Sequence, residues 1–473
     1  MFEQILKYQS IIILSFLVIY SLVFNFKENN KFRFFVTLYG CLLASFSGFI
    51  FFFFPQSAVE GGFYFDSLAG FGIIVNCLFL FISILSNFPN LRKEGIEADL
   101  VDIDTLFILA TIGSIILVSA NNIFVMFLGF ELMSLSIYTL VCSPRKEKAS
   151  SEGALKYFIM GSFASAFMLF GLVLLYGLLG RSDLSVMPQL SLTNIIHIVP
   201  LVLILFGFIF KLSLVPLHFW SPDAYQGAPS SVAGFMSAIV KISAFIVLFR
   251  FINKISYNEL LANLIWCLIV GTVTFANITA LAQKSVKRLL AYSGIANAGL
   301  AVSGFVFLQQ KGFSHGIFFL FIYVVSSLGA FLVYKSISEN INSAYDRDDI
   351  RNLEGFVQRN RYLALSFSVF LFSMAGMPPL AGFFGKFFIL SGVASSGLYA
   401  LLTILIFNSI LSFCYYTYLV GRIYFIDPLK ISVPPFVISL NQKMAIGICL
   451  IIVVFGGICS SYFLILTDYF LKI

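Results

Sequence analysis

Four ionisable residues stand alone in long apolar stretches. Counting histidine as neutral, Glu131 is the single formal charge between Asp104 and Arg145, and Lys211 the single one between Asp183 and Asp223. Lys241 is alone between Asp223 and Arg250, and Lys386 between Arg361 and Arg422. At 1.5 Å per helical residue, Glu131 lies about 20 Å along a helix from Arg145, farther than any side chain can snorkel. Inside a bilayer such a charge costs about 2.5–3.5 kcal/mol on insertion scales, so four of them imply a buried polar path or a paired site. A structural ion pair, or a lysine near a helix end, is the plainer reading of any one alone. Lys241, with Arg250 close behind it, comes nearest to that. Lysine suits proton handling because burial disfavours the ammonium while a nearby carboxylate favours it. Bringing Glu131 and Lys211 together or apart then changes how tightly Lys211 holds its proton.

The elements that must carry these residues are membrane helices. The 473 residues are 60% hydrophobic and 11% charged, with mean hydropathy +0.98. Soluble domains carry about a quarter charged residues, so there is too little polar surface here to coat a globule in water. Apolar runs of roughly 20 residues recur throughout, each long enough to cross a hydrocarbon core of about 30 Å. A crossing must be a helix that satisfies its own backbone. The alternating strands of about ten residues that build membrane barrels are absent. The expectation is an all-α polytopic membrane protein of about fourteen transmembrane helices. They fall at residues 9–26, 33–54, 65–88, 101–119, 121–142, 151–180, 198–216, 229–250, 257–281, 291–310, 312–335, 361–393, 397–421 and 443–470.

On this map the basic residues sort by side. Most lie in the loops after the odd-numbered spans, as with Arg92-Lys93, Arg145-Lys146 and Lys287-Arg288. The other face holds only Lys7, Arg181, Arg250, Lys254, Lys311 and Lys472. That asymmetry is the positive-inside rule, and one missed or invented span would scramble it. Both termini are expected on the face away from the cytoplasm or matrix. The net charge of +7 thus reads as loop anchoring rather than nucleic-acid binding. The first apolar run, Ser10 to Phe26, ends in a charged loop with no small-residue cleavage site, and reads as a span rather than a removed signal. The seven cysteines are scattered singly, and no CxxC, GxGxxG or Walker loop occurs. No nucleotide, haem or iron–sulfur cluster is expected on this chain.

Two of the isolated lysines lie beside prolines. Phe210-Lys211 leads to Pro216, and Met377-Pro378-Pro379 runs on to Lys386. A proline in mid-membrane frees a carbonyl, which is tolerable only where protein or water covers it. Interrupted helices in two halves of a chain are the pattern of inverted-repeat transporters. An ordinary kink is the alternative for either segment alone. Spans seven and twelve run in opposite directions, as an inverted repeat requires. Polar residues that could wet a path are His218, Ser221, Tyr225, Gln226, Ser243, Tyr292, Ser293, Asn297 and Tyr323. Each could equally be a hydrogen bond between helices.

The stretch Phe210 to Lys241, FKLSLVPLHFWSPDAYQGAPSSVAGFMSAIVK, resembles the core of the antiporter-like subunits of respiratory complex I, NADH:ubiquinone oxidoreductase. Similar matches are SANNIFVMFLGFELMSLSIYTLV around Glu131, EGALKYFIMGSFASAF from Glu152, LAQKSVKRLLAYSGIANAG from Leu281, and MAGMPPLAGFFGKF around Lys386. Together they cover about residues 101–390 in the family's order. The resemblance is closest to the subunit-2 branch. The relatives of subunits 4 and 5 typically have histidine and an acid where this chain has Tyr225 and Gly227, and subunit 4 usually has glutamate where Lys386 stands. The long lateral-helix extension of subunit 5 is missing.

The resemblance implies N-terminal helices at 1–100, a first antiporter-like repeat at 101–256, a second at 257–425, and a C-terminal helix at 426–473. It assigns the proton residues to Glu131, Lys211, Lys241 and Lys386, the same four found from charge alone. Glu131 is to pair with and modulate Lys211, Lys241 to link two half-channels, and Lys386 to pass protons outward. Many relatives have histidine where this chain has Asn297, so water or another group must replace any relay there. The resemblance further implies that NADH, FMN, iron–sulfur clusters and ubiquinone belong to other parts of the complex. Its partners are to be the other membrane-arm subunits, including the antiporter-like ones, together with the lipid bilayer. Two alternatives stay open: a subunit of a multi-subunit sodium/proton antiporter, and a structural spacer with inert paired charges. Phe 58 against Trp 2, with abundant Ile and Lys, looks like AT-rich organellar coding and favours a mitochondrial inner membrane over a bacterial plasma membrane.

Overall fold

The computed structural model describes residues 7–23, 30–60, 62–87, 97–143, 147–184, 195–255, 259–306, 310–338, 348–427 and 438–471. Within them the chain forms α1 (Gln9–Val23), α2 (Asn30–Phe53), a short antiparallel hairpin of β1 (Gln56–Glu60) and β2 (Phe63–Phe65), α3 (Ser67–Asn87), α4 (Glu97–Ser119) and α5 (Ile123–Val141). There follow α6 (Lys148–Leu179), α7 (Ile195–Lys211), α8 (Trp220–Gly227), α9 (Ser230–Asn253), α10 (Glu259–Leu281), α11 (Val286–Val302) and α12 (Gln310–Ser338). The chain continues through α13 (Phe356–Arg359), α14 (Arg361–Ala375), α15 (Ala381–Ser395), α16 (Tyr399–Phe425), α17 (Leu440–Ile458) and α18 (Ser460–Leu471).

Among the described residues nine helices are long and apolar enough to cross a membrane: α2, α3, α5, α6, α9, α10, α12, α16 and α17. Shorter apolar helices stand where the sequence predicts spans one, four, seven and twelve. Span ten is placed earlier than expected. Ser285 caps α11 by accepting from the Arg288 amide, and the helix gives way to a tight turn at Ser303–Phe305, short of residue 310. The hairpin is a second departure from an all-helical expectation, and it joins α2 to α3.

Burial separates central from peripheral helices. The most apolar stretch of α12 is wholly enclosed by protein and that of α9 is 94% enclosed, against 33% for α6 and α16. α9 and α12 are therefore the axis, and α6 and α16 face outward. They interlock where Gly234 admits Phe331 and Leu328, and where Ser237 and Ser327 share a hydrogen bond of 3.0 Å. Small residues let membrane helices approach closely. α4 and α5 do so through Gly113 and Gly129: a Cβ on Gly113 would collide with the Met133 nitrogen, and one on Gly129 would come 2.8 Å from the Leu117 nitrogen.

Three basic residues that the sequence reads as loop anchors are buried instead. Arg250, 7% exposed, makes two bonds to Asp66 at 2.6 and 2.7 Å, tying α9 to the start of α3. Arg33, on α2, lies 3.8 Å from Asp104 of α4, and Lys335, on α12, donates to Asn87 at 2.7 Å. Each stands at a helix end, where hydropathy alone cannot separate a lipid-facing anchor from an interhelical tie.

Both predicted interruptions are real. α7 ends at Lys211; the chain turns through Ser213, at φ +58°, and Pro216 before α8 begins at Trp220. The continuous span expected to 216 thus stops short, because proline has no donor and disfavours helix in the residue before it. α14 ends at Ala375, Gly376 takes the left-handed φ of +88°, and α15 starts after Pro378 and Pro379. The Gly376 and Met377 amides both donate to the Phe372 carbonyl at 3.0 Å, closing that helix end.

Candidate functional site

Glu131 is half-buried on α5 and accepts a hydrogen bond of 2.5 Å from the Ser165 hydroxyl of α6. Lys211, 3% exposed, projects from the last position of α7 onto the same helix α5. Its ammonium donates to Ser134 at 2.5 Å and to the Tyr138 hydroxyl at 3.4 Å. The Ser134 proton is committed to the Phe130 carbonyl at 2.5 Å, so toward Lys211 that hydroxyl can only accept. The direct pairing expected between Glu131 and Lys211 is not formed among the described residues: Glu131 is taken by Ser165, and Ser134, one turn beyond Glu131, holds the lysine instead.

Lys241, 2% exposed, occupies the α9–α12 axis. It donates to the Gly294 carbonyl of α11 at 2.6 Å and lies 5.4 Å from the ring centre of Tyr323 on α12. A Cβ at 294 would come 2.5 Å from the Lys241 nitrogen, so any larger residue there must shift that ammonium. The buried Tyr323 hydroxyl meets no hydrogen-bond partner among the described residues.

Lys386, 6% exposed on α15, reaches back across the second break. It donates to the carbonyl of Ala375, the last residue of α14, and to Ser412 of α16, both at 3.0 Å. Ser412 in turn gives its proton to the Ser409 carbonyl at 2.7 Å, so it too is an acceptor for the lysine. Lys211 and Lys386 thus share a plan. Each stands at the C-terminal, negative end of a half-helix, and each rests on a serine whose proton is already spent on backbone.

The secondary candidates divide. Tyr323 and Asn297 lie near the lysines; the Asn297 amide donates to the Ser293 carbonyl at 2.8 Å and to Tyr416 at 3.5 Å. His218 is buried in the first break with its ring against Phe219 and Phe275. Ser243 is taken by Asn76 at 3.1 Å, a tie between α9 and α3. Tyr225 packs on Phe331, and Tyr292 packs on Ala276 and Ala296. Gln226 accepts from Arg288 at 3.1 Å in a surface cluster where Asp223 also accepts from Lys156 at 2.8 Å and Arg288 at 2.5 Å. That cluster fastens α8 to α6 and α11. Sequence reasoning missed Ser134, Tyr138, Ser165, Gly294 and Ser412. The first two were within reach, because they share the Glu131 face of one helix at steps of three and seven; the others depend on tertiary packing.

Chemically, the Lys211, Lys241 and Lys386 ammonium groups are held by neutral oxygens. Each can release a proton without leaving an unpaired anion behind. The half-buried Glu131 carboxylate accepts from Ser165, three residues along α5 from the Ser134 that holds Lys211, and acts on the lysine through its field rather than by contact.

A family profile described as the transmembrane part of the NADH:quinone oxidoreductase/Mrp antiporter proteins matches residues 120–412. The chain is 36% identical to NADH-quinone oxidoreductase subunit N 1 of Thermodesulfovibrio yellowstonii, over 75% of this chain and 76% of that one. It is also 36% identical to the F(420)H(2) dehydrogenase subunit N of Methanosarcina mazei, over 80% of each. Its fold matches a chain in the structure of respiratory complex I from Thermus thermophilus with bound aureothin. The TM-score is 0.81 at 27% identity, covering 97% of this chain and 99% of that one.

Proposed function

The chain belongs to the NADH:quinone oxidoreductase/Mrp antiporter family, in its subunit-N branch, and from that premise we propose that it translocates protons through Glu131, Lys211, Lys241 and Lys386 in the membrane arm of complex I. The observation that carries this is that Lys211, Lys241 and Lys386, each isolated in an apolar stretch and away from the helix ends that face loops, are held by neutral oxygens rather than by carboxylates. An inert structural charge is paired and left paired; a proton carrier must be able to exist in both states. Glu131, three residues before the Ser134 that holds Lys211, acts as the modulator. Lys241 is the central site on the α9–α12 axis, and Lys386 the outward one.

In this reading the chain carries no redox centre. Electron transfer belongs to other subunits, and the two relatives support that division: equal identity to an NADH-linked and an F420H2-linked subunit N leaves the electron donor to other parts of each assembly. The fourteen-span topology with two inverted repeats is supported by the proline-broken helices α7–α8 and α14–α15, one in each half of the chain. The membrane is an energy-transducing one. The coding bias supports the mitochondrial inner membrane, while the bacterial and archaeal relatives support the plasma membrane as its counterpart.

The test is made on the intact complex in liposomes. Lys211→Met and Glu131→Gln are each expected to leave assembly unchanged and to lower proton-coupled quinone reduction on the order of tenfold or more. Normal coupled rates in both variants, with altered stability alone, would establish the structural spacer instead.

A further inference from the structure

Buried aromatic rings surround Lys211, whose ammonium lies 5.6 Å from the ring centre of Tyr138 and 5.5 Å from that of Phe210. A third ring crosses the break in its helix. Tryptophan in a membrane protein ordinarily sits at headgroup level, where its N–H meets water. Trp220, the first residue of α8, is instead 2% exposed. Its indole N–H donates at 3.2 Å to the Phe210 carbonyl. That carbonyl shares a planar peptide unit with the Lys211 nitrogen. It is also the pivot of the break, because it accepts from the Ser213 amide at 3.0 Å. The indole thereby ties the chain after the break to the backbone from which Lys211 springs.

The same ring reaches the far end of that lysine. It stacks on Tyr157 of α6, with ring centres 4.0 Å apart and planes within 5° of parallel. Tyr157 meets Tyr138 of α5 edge-on at 4.5 Å. The Tyr138 hydroxyl accepts from Lys211 at 3.4 Å and is seated against α6, where a Cβ on Gly161 would collide with it. Lys211 is thus held twice: the indole N–H fixes its root, and the stacked rings fix a partner of its ammonium. The other end of α8 is fastened too, since Lys287 donates to the Ala228 carbonyl at 3.0 Å. Filling space between α6 and α8 would need a large apolar side chain, but neither an N–H nor a parallel ring. We propose that Trp220 is a positioning residue for Lys211, holding root and ammonium in place across the broken helix, with Tyr157 carrying the hold to Tyr138. Trp220 itself handles no proton. This rests on Lys211 being a proton carrier.

The experiment uses the whole complex in liposomes and reads proton-coupled turnover per assembled complex. Trp220→Phe keeps a ring on Tyr157 and removes the donor; it is expected to lower turnover about fivefold, the rate equivalent of one hydrogen bond. Trp220→Leu removes both and is expected to lower it about tenfold or more, because small misplacements of a reacting group are costly. Tyr157→Phe, which keeps the ring, is expected to retain most of the rate that Tyr157→Leu loses. In a Lys211→Met background, adding Trp220→Phe is expected to cost nothing more, since residues that act as a unit are not additive. Less complex with normal turnover per complex, equal rates in the two Tyr157 variants, or a full further fivefold loss in that background would each overturn the proposal. A density map of the native complex is expected to place the indole nitrogen against the Phe210 carbonyl; a nitrogen turned away overturns it even if no Trp220 variant assembles. Lys211→Met alone separates the two levels. If it is silent, the proton-carrier reading fails; if it is impaired while both Trp220 variants are normal, the positioning role alone is wrong.

Discussion

Gly294 and Lys241 meet twice: the glycine carbonyl accepts from the lysine ammonium at 2.6 Å, and the glycine's bare Cα leaves the space that ammonium occupies. A Cβ added there would lie 2.5 Å from the nitrogen and 3.0 Å from the Tyr323 hydroxyl. Gly294→Ala is therefore expected to displace the end of a flexible side chain without unfolding α11. Because small misplacements of a reacting group are costly, coupled turnover is expected to fall on the order of ten- to a hundredfold. Native mass of the complex reads assembly, and proton uptake by liposomes reads the loss; wild-type proton transport in the alanine variant would refute the central role of Lys241.

Ser134 accepts from Lys211 because its own proton is bound to the Phe130 carbonyl. Removing the hydroxyl takes away a bond to a charged group, about 1.5–3 kcal/mol. Ser134→Ala is expected to slow coupled quinone reduction about tenfold, the rate equivalent of the lower figure, and Ser134→Thr to keep most of the rate. If alanine and threonine behave alike, the hydroxyl is not what holds Lys211.

The Asp66–Arg250 pair joins the N-terminal helices to the central axis through two bonds with the arginine almost fully buried. Breaking one partner of such a pair costs about 3–5 kcal/mol, because the other charge is left without compensation. Asp66→Ala and Arg250→Ala are each expected to lower the melting temperature of the complex, and the double variant to recover part of the loss. Effects that add within about 0.5 kcal/mol would show that the pair is not coupled.

A pH test is available outside the membrane, at the turn Ile350–Leu353. The Arg351 guanidinium and amide bond the Asp349 carboxylate and hold its carboxyl below the usual carboxylate range. A depressed folded value means this contribution is complete above the unfolded value of about 3.9 and is lost as pH falls through the folded one. Hydrogen exchange at the Arg351 amide, corrected for intrinsic rate, is expected to lose protection only below about pH 4. Protection unchanged down to about pH 2, or the same acid response in Asp349→Asn, would contradict this.

The membrane class, the helix positions and the four ionisable residues were legible because each rests on a one-dimensional signal: a run of apolar residues, or a charge with no neighbour. Lys386 could be found by its isolation next to Pro378-Pro379, but its acceptor Ala375 could not, since a freed carbonyl has no sequence signature. The expected Glu131–Lys211 pair shows the same limit. Opposite charges on neighbouring helices attract in principle, yet Glu131 is taken by Ser165 and Lys211 by Ser134, and side-chain rotamers decide that. Arg33, Arg250 and Lys335 were misread because a helix end looks alike whether it borders water or another helix.

The Ala375 carbonyl has one more implication. It and the Ser412 hydroxyl are uncharged at any attainable acidity, so what grips the Lys386 ammonium is fixed by backbone geometry and not by ionisation. The carbonyl is available only because α14 stops at Ala375 and the chain turns at Gly376; a helix continued through that point would spend the oxygen on its own backbone. The gap between the two half-helices is therefore itself a binding element for the lysine.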